Sequence, residues 1–248
     1  YVFIAPSAGP QLGPLIVDDS GEPVWFRPLP LYSNTVAHNF RVQTYGGRPV
    51  LTWWEGQYAN GFGQGEYVIL DSSYQEVARF GAGNGYAGDL HEFTITPDDT
   101  ALISIFNNVA ADLSSFGGPA AGTLLECVVQ EIHIESGALL FEWHSSDHVT
   151  VDESYLPVTA GLWDYFHLNS IDPLDDGNLL ISARHTSTIY KLDRKTGEIV
   201  WRLGGKKSDF AMGAGTQFAY QHDARGHAGD VVSVFDDGAY SAQSAIEP

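Results

Sequence analysis

Four histidines recur at one position of a repeated sequence element, and an arginine follows the third of them. His38, His91, His167 and His222 are in register, and Arg184 ends the apolar segment that follows His167. The four copies read AHNFRVQ (37–43), LHEFTIT (90–96), FHLNSID (166–172) and QHDARGH (221–227). Imidazole can serve as a nucleophile, as an acid–base group or as a metal ligand. Arginine is suited to holding anionic oxygens.

The elements that must position these residues are clearest between residues 164 and 206. Four short apolar segments alternate there with turn residues such as Asp175–Asn178 and Lys195–Gly197. Such segments between Gly, Asp and Asn clusters are typical of β-hairpins. Four strands in about 43 residues is the length of one β-propeller blade, so we predict a blade here.

A second element, the hairpin between the third and fourth strands, also recurs. Gly21, Gly137 and Gly197 occupy the same turn position, where a positive φ is easily adopted. The copies are LIVDDSGEPVWF (15–26), VILDSSYQEVARF (68–80), EIHIESGALLFEW (131–143) and YKLDRKTGEIVWRL (190–203). Because the first strand of a blade lines the central channel, the repeat predicts that four histidines distant in sequence converge there.

These repeats predict an all-β chain of 248 residues that forms one β-propeller domain. About four and a half blades are expected, with exposed edge strands at both ends of a truncated ring. The expected segments are 1–35 (partial), 36–84, 85–146 with an insertion at 107–122, 164–206, and 218–248 (partial). The loops at 107–122 and 144–161 are interpreted either as lids or binding loops or as surface decoration.

Composition excludes several classes of partner. The formal net charge of −19 argues against nucleic acid and against anionic membranes, which attract basic patches. No apolar run is long enough to span a membrane. The single cysteine, Cys127, excludes an internal disulfide framework. An acidic chain of this kind predicts a secreted or periplasmic location.

Two longer segments carry a resemblance to a known family. DYFHLNSID…DGNLLISARHTSTIYKLDRKTGEIVWRLGG, followed by FAYQHDAR, resembles the arylsulfate sulfotransferases, and so does LHEFTITPDDTALIS. The resemblance implies a six-bladed propeller that moves a sulfuryl group from an aryl sulfate to a phenol. It implies neither a nucleotide sulfate donor nor a cofactor, and it makes the aryl sulfate and the phenol the partners.

The resemblance also implies a site of three histidines and one arginine. By motif these are His222, as the nucleophile that forms a sulfohistidine, with His167, Arg184 and His91. The asparagine of the His-x-Asn strand is Asn169. We further assign Asn169, His38, Trp163 and Tyr165 to substrate binding.

Other interpretations of these residues remain open. Three convergent histidines could bind a metal in a hydrolase or lyase, although Arg184 would repel a divalent cation, so no metal is predicted. A binding propeller without catalysis is the second alternative. The remaining histidines are interpreted as structural or surface residues: His133, His144, His148, His185 and His227. Trp163 and Tyr165 could pack between blades instead of lining a pocket.

Overall fold

The structure is a computed structural model that describes residues 1–31 and 33–238. Within these ranges nearly all of the regular secondary structure is β-strand, and the all-β prediction is confirmed. Helix is limited to single turns at Ser114–Phe116, Ser145–His148 and Val151–Glu153. None of the described helices is long and apolar enough to cross a membrane. Of the predicted last segment, residues 239–248 lie outside the described part.

The first two sheets occupy residues 2–80. The three-stranded sheet contains β1 (Val2–Ile4), β2 (Leu15–Val17) and β3 (Pro23–Phe26) in that order. The four-stranded sheet that follows contains β4 (Val36–Tyr45), β5 (Arg48–Ala59), β6 (Phe62–Leu70) and β7 (Glu76–Phe80). Its neighbouring strands are antiparallel and follow sequence order, as in a propeller blade.

The third sheet is larger than predicted. It contains β8 (Phe93–Ile95), β9 (Thr100–Ala111), β10 (Gly122–His133), β11 (Leu139–His144) and β12 (Leu162–Trp163), and β12 pairs with β10 in parallel. The predicted insertion at 107–122 is therefore partly strand, because β9 continues to Ala111 and β10 begins at Gly122. Only the tip of this hairpin, 112–121, lies outside the two strands, and it contains the helical turn Ser114–Phe116.

The last two sheets occupy residues 168–235. One contains β13 (Leu168–Pro173), β14 (Leu179–Ala183), β15 (Thr188–Leu192) and β16 (Ile199–Gly204), again in sequence order. The other contains β17 (His222–His227) and β18 (Val231–Phe235). Strands β4–β7 lie within the predicted segment 36–84 and β13–β16 lie within 164–206, and the division of the chain into blades stays a prediction.

The chain forms two compact units. Unit 1 comprises Tyr1–Ile105 and Gln130–Leu140, and unit 2 comprises Phe106–Val129 and Phe141–Pro248. Unit 1 has a core of buried side chains that includes Phe40, Trp53 and Val68. In unit 2, Leu180 and Ile189 pack with Ala224 of β17.

The recurring turn position adopts the backbone conformation that its glycines predict. The φ angles of Gly21, Gly137 and Gly197 are 86°, 69° and 78°. In the β6–β7 turn the same place is taken by Tyr74, whose φ is 61°. There the amide of Tyr74 donates to the Asp71 carbonyl at 2.9 Å, as the amide of Gly21 does to Asp18 at 3.1 Å. The turn geometry is thus kept where the glycine is absent.

Within each unit, the first strands of successive sheets lie side by side. In unit 1, Gln43 of β4 donates to the Phe93 carbonyl of β8 at 2.9 Å. In unit 2, the Ala224 amide of β17 donates to Ser170 Oγ of β13 at 3.0 Å. Adjacent first strands are expected of neighbouring propeller blades. The assembly of all five sheets into one ring stays a prediction.

A fully buried tryptophan determines which residues the β5–β6 hairpin can carry. Trp54 Nε1 donates to the Gly88 carbonyl at 2.9 Å, and its ring covers three glycines. A Cβ atom added to Gly56, Gly63 or Gly65 would stand 2.6, 2.5 or 2.8 Å from the Trp54 ring. Such distances are below van der Waals contact, so glycine is required at these strand positions.

We therefore expect Gly65→Ala to lower the free energy of unfolding by about 1–3 kcal/mol, the usual cost of overpacking. The added Cβ would also clash with the Glu55 carbonyl oxygen, and main-chain atoms cannot move aside as a flexible side chain can. Gly161→Ala is the control, because it meets no atom within 4 Å and needs no positive φ. Its effect should stay within about 0.5 kcal/mol in urea unfolding. Equal effects of the two substitutions would contradict this account.

Candidate active site

His167 and Arg184 face each other across the start of the β13–β14 hairpin. The Arg184 amide donates to the His167 carbonyl at 2.9 Å, and the His185 amide donates to the Phe166 carbonyl at 3.0 Å. The sequence predicted that His167 lies within the strand, but β13 begins one residue later, at Leu168. His167 has a φ of 58°, in the left-handed region. The chain therefore turns at His167, directly before β13 begins.

The His167 ring is held on several sides. Its Nδ1 is 2.5 Å from Asp164 Oδ2. The ring lies 5.4 Å from the Phe106 ring in an edge-on arrangement and 4.7 Å from the His185 ring. Only 9% of His167 is exposed. Since Nδ1 faces the carboxylate, Nε2 lies on the side of the ring away from Asp164.

His185 joins Arg184 to the same aspartate. His185 Nε2 is 2.9 Å from Arg184 Nη1, and His185 Nδ1 is 2.6 Å from the main-chain carbonyl of Asp164. A guanidinium only donates and a carbonyl only accepts. His185 Nε2 must therefore accept and Nδ1 must carry the proton, so the ring is neutral. His185 fixes the arginine without adding charge.

Arg184 has a second neighbour in Tyr220. Its guanidinium carbon lies 4.4 Å from the centroid of the Tyr220 ring, which is within the range of cation–π attraction. The ring of His185 meets the same tyrosine edge-on at 6.0 Å. The guanidinium is thus oriented by a planar face and by a hydrogen bond.

His222 lies two residues after Tyr220, at the start of β17. Its Nδ1 is 3.0 Å from the Tyr220 carbonyl oxygen. Because that oxygen can only accept, Nδ1 carries the proton, and in the neutral ring Nε2 has the lone pair. An imidazole in this state is a competent nucleophile. The Tyr220 residue therefore contacts Arg184 through its ring and His222 through its main chain.

Two buried amides hold β13 against the segment before β17. Asn169 Nδ2 donates to the Gln221 carbonyl at 2.7 Å. Gln221 Nε2 lies within hydrogen-bond distance of Ser182 Oγ, at 3.0 Å, and of the Ala183 carbonyl, at 3.1 Å. Asn169 Oδ1 is buried and has no hydrogen-bond partner within 1–31 and 33–238. Asn169, predicted to bind substrate, connects β13 to Gln221 through its Nδ2 group. Its assignment to substrate binding stays a prediction.

The electrostatics of this cluster centre on Asp164. Burial raises the pKa of its carboxyl, but hydrogen bonds from His167 and His185 oppose burial and outweigh it. The net effect holds the pKa of Asp164 well below its ordinary value, so the carboxylate stays ionised. A fixed negative charge beside His167 Nδ1 favours a positive charge on that ring.

In unit 1, His91 has the same kind of partner. Its Nδ1 is 2.6 Å from Asp89 Oδ2, and Asp89 is fully buried. The nearby His38 has a pKa below its ordinary value, because burial and the proximity of His91 outweigh the attraction of Asp89. His38 lies 6.0 Å from the Trp54 ring and 5.9 Å from the Tyr58 ring. Convergence of His38 and His91 with the unit 2 residues stays a prediction.

The two predicted aromatic residues are buried. Tyr165 is fully buried against Phe166, with ring centroids 5.9 Å apart. Trp163 is 3% exposed, and its Nε1 donates to the Leu156 carbonyl at 3.1 Å. Burial favours the interpretation in which they pack in the core. Their assignment to substrate binding stays a prediction.

Asp164, His167 and His185 also offer donor atoms that lie within 4.8 Å of one another, as in a metal site. For His185 to bind a cation there through Nδ1, that nitrogen would have to lose its proton. Nε2 would then have to carry a proton, and it could no longer accept from Arg184 Nη1, 2.9 Å away. The nearby positive guanidinium also repels a divalent cation. These residues fit an anion better than a metal.

Sequence reasoning predicted His167, Arg184 and His222 as site residues but not the residues that connect them. Asp164, His185 and Tyr220 were missed, and His185 was interpreted as structural or surface. Their positions carried a signal, because each lies within three residues of a predicted site residue, in DYFH, ARH and YQH. Side chains close in sequence to a site residue on a bend often become its partners in space.

These features define a class: an all-β protein of repeated antiparallel sheets with a histidine–arginine cluster suited to an anion. Residues 41–246 match the family described as Arylsulfotransferase (ASST). Since the match covers most of the chain, this protein belongs to the arylsulfotransferase family, which confirms the resemblance. Searches of curated proteins find no match.

Two solved structures are similar to the chain. One is a protein of unknown function from Bacteroides caccae, at 13% identity and a TM-score of 0.36, covering 91% of this chain and 78% of that one. The other is a streptogramin B lyase, at 13% identity and a TM-score of 0.44, covering 94% of this chain. The chain spans 64% of the length of that lyase.

Proposed function

We propose that this protein transfers a sulfuryl group from an aryl sulfate to a phenol through a covalent intermediate on His222. Membership of the arylsulfotransferase family supports arylsulfotransferase activity in general. The observation that carries the finer proposal is the hydrogen bond between His222 Nδ1 and the Tyr220 carbonyl. It assigns the proton to Nδ1, so Nε2 is the nitrogen that we propose attacks sulfur, and Arg184 packs on the ring of the same Tyr220.

In the first half-reaction, His222 Nε2 attacks the sulfur of the aryl sulfate. The S–N bond forms as the S–O bond to the aryl group breaks, and the bonding electrons leave on the phenolate oxygen. Arg184 and one histidine hold the sulfuryl oxygens. A phenol has a pKa near 10, so departure is assisted by a general acid. His167 and His91 are the residues proposed for these two histidine roles.

In the second half-reaction, an acceptor phenol takes the place of the first product. The histidine that gave up its proton accepts one from the acceptor hydroxyl, whose oxygen attacks sulfur as the S–N bond breaks. Neutral His222 is restored, and no nucleotide sulfate donor is required. Two displacements of this kind give ping-pong kinetics, because the first product leaves before the acceptor binds.

The net charge of −19 does not conflict with an anionic substrate. At physiological ionic strength, charges more than about 8 Å away are largely screened. The field at the bound sulfate is then dominated by Arg184 and its neighbours. This supports local capture of the anion by Arg184.

The test is to incubate the protein with 4-nitrophenyl sulfate, quench it and digest it for mass spectrometry. We expect a mass increment of one SO₃ group on the peptide that contains His222, and its loss when a phenol is added. Release of 4-nitrophenolate without any protein adduct would instead indicate hydrolysis, as in a metal-dependent enzyme. Sulfate on another residue would reject the assignment of His222.

A further inference from the structure

We propose that Asp164 is the positioning residue of the unit 2 cluster, orienting His167 through its carboxylate and Arg184 through its main-chain carbonyl and His185. The inference rests on the proposed function, since it assigns roles within the same site. Asp164 itself contacts no substrate in this proposal. It acts through the two groups that face the ligand.

Asp164 contacts His167 through its side chain. Asp164 Oδ2 and His167 Nδ1 are 2.5 Å apart, whereas Asp164 Oδ1 is buried without a hydrogen-bond partner among the described residues. The carboxylate can only accept, so the Nδ1 proton is fixed and the ring orientation with it. An aspartate in this position holds the imidazole tautomer and stabilises the imidazolium form. His167 Nε2–H is then directed away from Asp164 as a donor.

Asp164 also supports Arg184, through its main-chain carbonyl and the ring of His185. The Asp164 carbonyl accepts from His185 Nδ1 at 2.6 Å, and His185 Nε2 accepts from Arg184 Nη1 at 2.9 Å. One residue therefore holds two rings by two different oxygens. The main-chain contact does not depend on the side chain, so a substitution at Asp164 leaves it in place. The substitution does remove Asp164 Oδ2, which lies 3.6 Å from His185 Nδ1 as well as 2.5 Å from His167 Nδ1.

The hydrogen-bond partners of the other histidines support different roles for different histidines. In unit 1, His91 has an aspartate partner as His167 does, with Nδ1 2.6 Å from Asp89 Oδ2. His222 differs, because its Nδ1 faces a carbonyl, Tyr220 O, at 3.0 Å. The Nδ1 proton of His91 thus faces a carboxylate, whereas that of His222 faces a neutral carbonyl. Carboxylate-supported rings suit the donor role, and the carbonyl-supported ring suits the nucleophile.

The experiment is Asp164→Asn, assayed with a series of aryl sulfates that differ in leaving-group pKa and over a range of pH. We expect kcat/KM to fall at least about tenfold at neutral pH, with the alkaline limb moved to lower pH, because the ring loses its stabilising charge. The adduct should still form on His222. A purely structural role would lower the rate equally at every pH.

Asp172→Asn is the matched control in the same unit. Asp172 Oδ2 accepts from the Gly226 amide at 2.8 Å, so it supports the β13–β17 contact and lies outside the cluster. We expect it to lower stability without moving the pH profile. A pH profile of Asp164→Asn that matches the wild type, or a shift in Asp172→Asn of equal size, would overturn the proposal.

A measurement on the unsubstituted protein keeps the inference testable if Asp164→Asn fails to fold. The ¹⁵N shifts of the imidazole nitrogens report which nitrogen of His167 carries the proton. We expect a protonated Nδ1 throughout the neutral range, and an unprotonated Nδ1 would overturn the inference. If Nδ1 is protonated but no adduct forms on any histidine, the proposed function fails while the Asp164–His167 contact stands.

Discussion

Replacing His222 with alanine is expected to abolish sulfuryl transfer and the covalent adduct together. The substitution removes the only atom that the mechanism bonds to sulfur, and loss of a nucleophile lowers kcat by more than about 10⁴-fold in comparable enzymes. The fold should survive, because His222 begins β17 and is only partly buried. The measurements are steady-state transfer from 4-nitrophenyl sulfate to a phenol and mass spectrometry of the quenched protein.

The control for this substitution is on the same strand. His227 ends β17, is exposed and pairs with Ser233 Oγ at 2.7 Å, so His227→Ala should retain near-normal transfer. His38→Ala, in unit 1, should be far milder than His222→Ala. Near-normal transfer by His222→Ala, or kinetics of a ternary complex, would remove His222 as the nucleophile. The assignment of the all-β fold would be unaffected.

Arg184→Met is expected to give the second largest loss, about 10²–10³-fold in kcat/KM, the usual cost of removing one preorganised donor. Methionine keeps much of the side-chain length but has no charge and no N–H group. Arg184→Lys should recover only part of this loss. A lysine ammonium is a point charge and cannot reproduce the planar contact with Tyr220 while it also donates to His185.

Arg202→Met is the matched control for Arg184→Met. Arg202 also lies over a tyrosine, with its guanidinium carbon 5.9 Å from the Tyr190 ring, but its ion-pair partner is the buried Glu153. We expect Arg202→Met to lower the free energy of unfolding and to leave kcat/KM close to normal. Equal losses of kcat/KM in both variants would show that the Arg184 effect is one of folding.

Repetition made the secondary structure predictable from the sequence. The glycine turns and alternating apolar segments predicted β13–β16 almost to their ends, because strand and turn preferences act over a few residues. In the β4–β7 sheet, β6 begins at Phe62, six residues before the predicted segment 68–80. The same repeat predicted matching positions for His167 and His222 at the starts of neighbouring sheets. The extension of β9 and β10 was not predicted, because residues 107–111 contain Asn and Ala, which favour strand weakly.

The sequence by itself thus determined the sheets, their turns and the three residues at the centre of the proposed chemistry. Only the tertiary structure decided what holds those residues. The positive φ at His167 turns its ring toward Asp164, and the adjacent first strands bring Tyr220 beneath Arg184. The tertiary structure also decided that Trp163 and Tyr165 are buried. The physical reason is that turns and strands depend on local backbone preferences, whereas hydrogen-bond partners and burial depend on residues that only folding brings together.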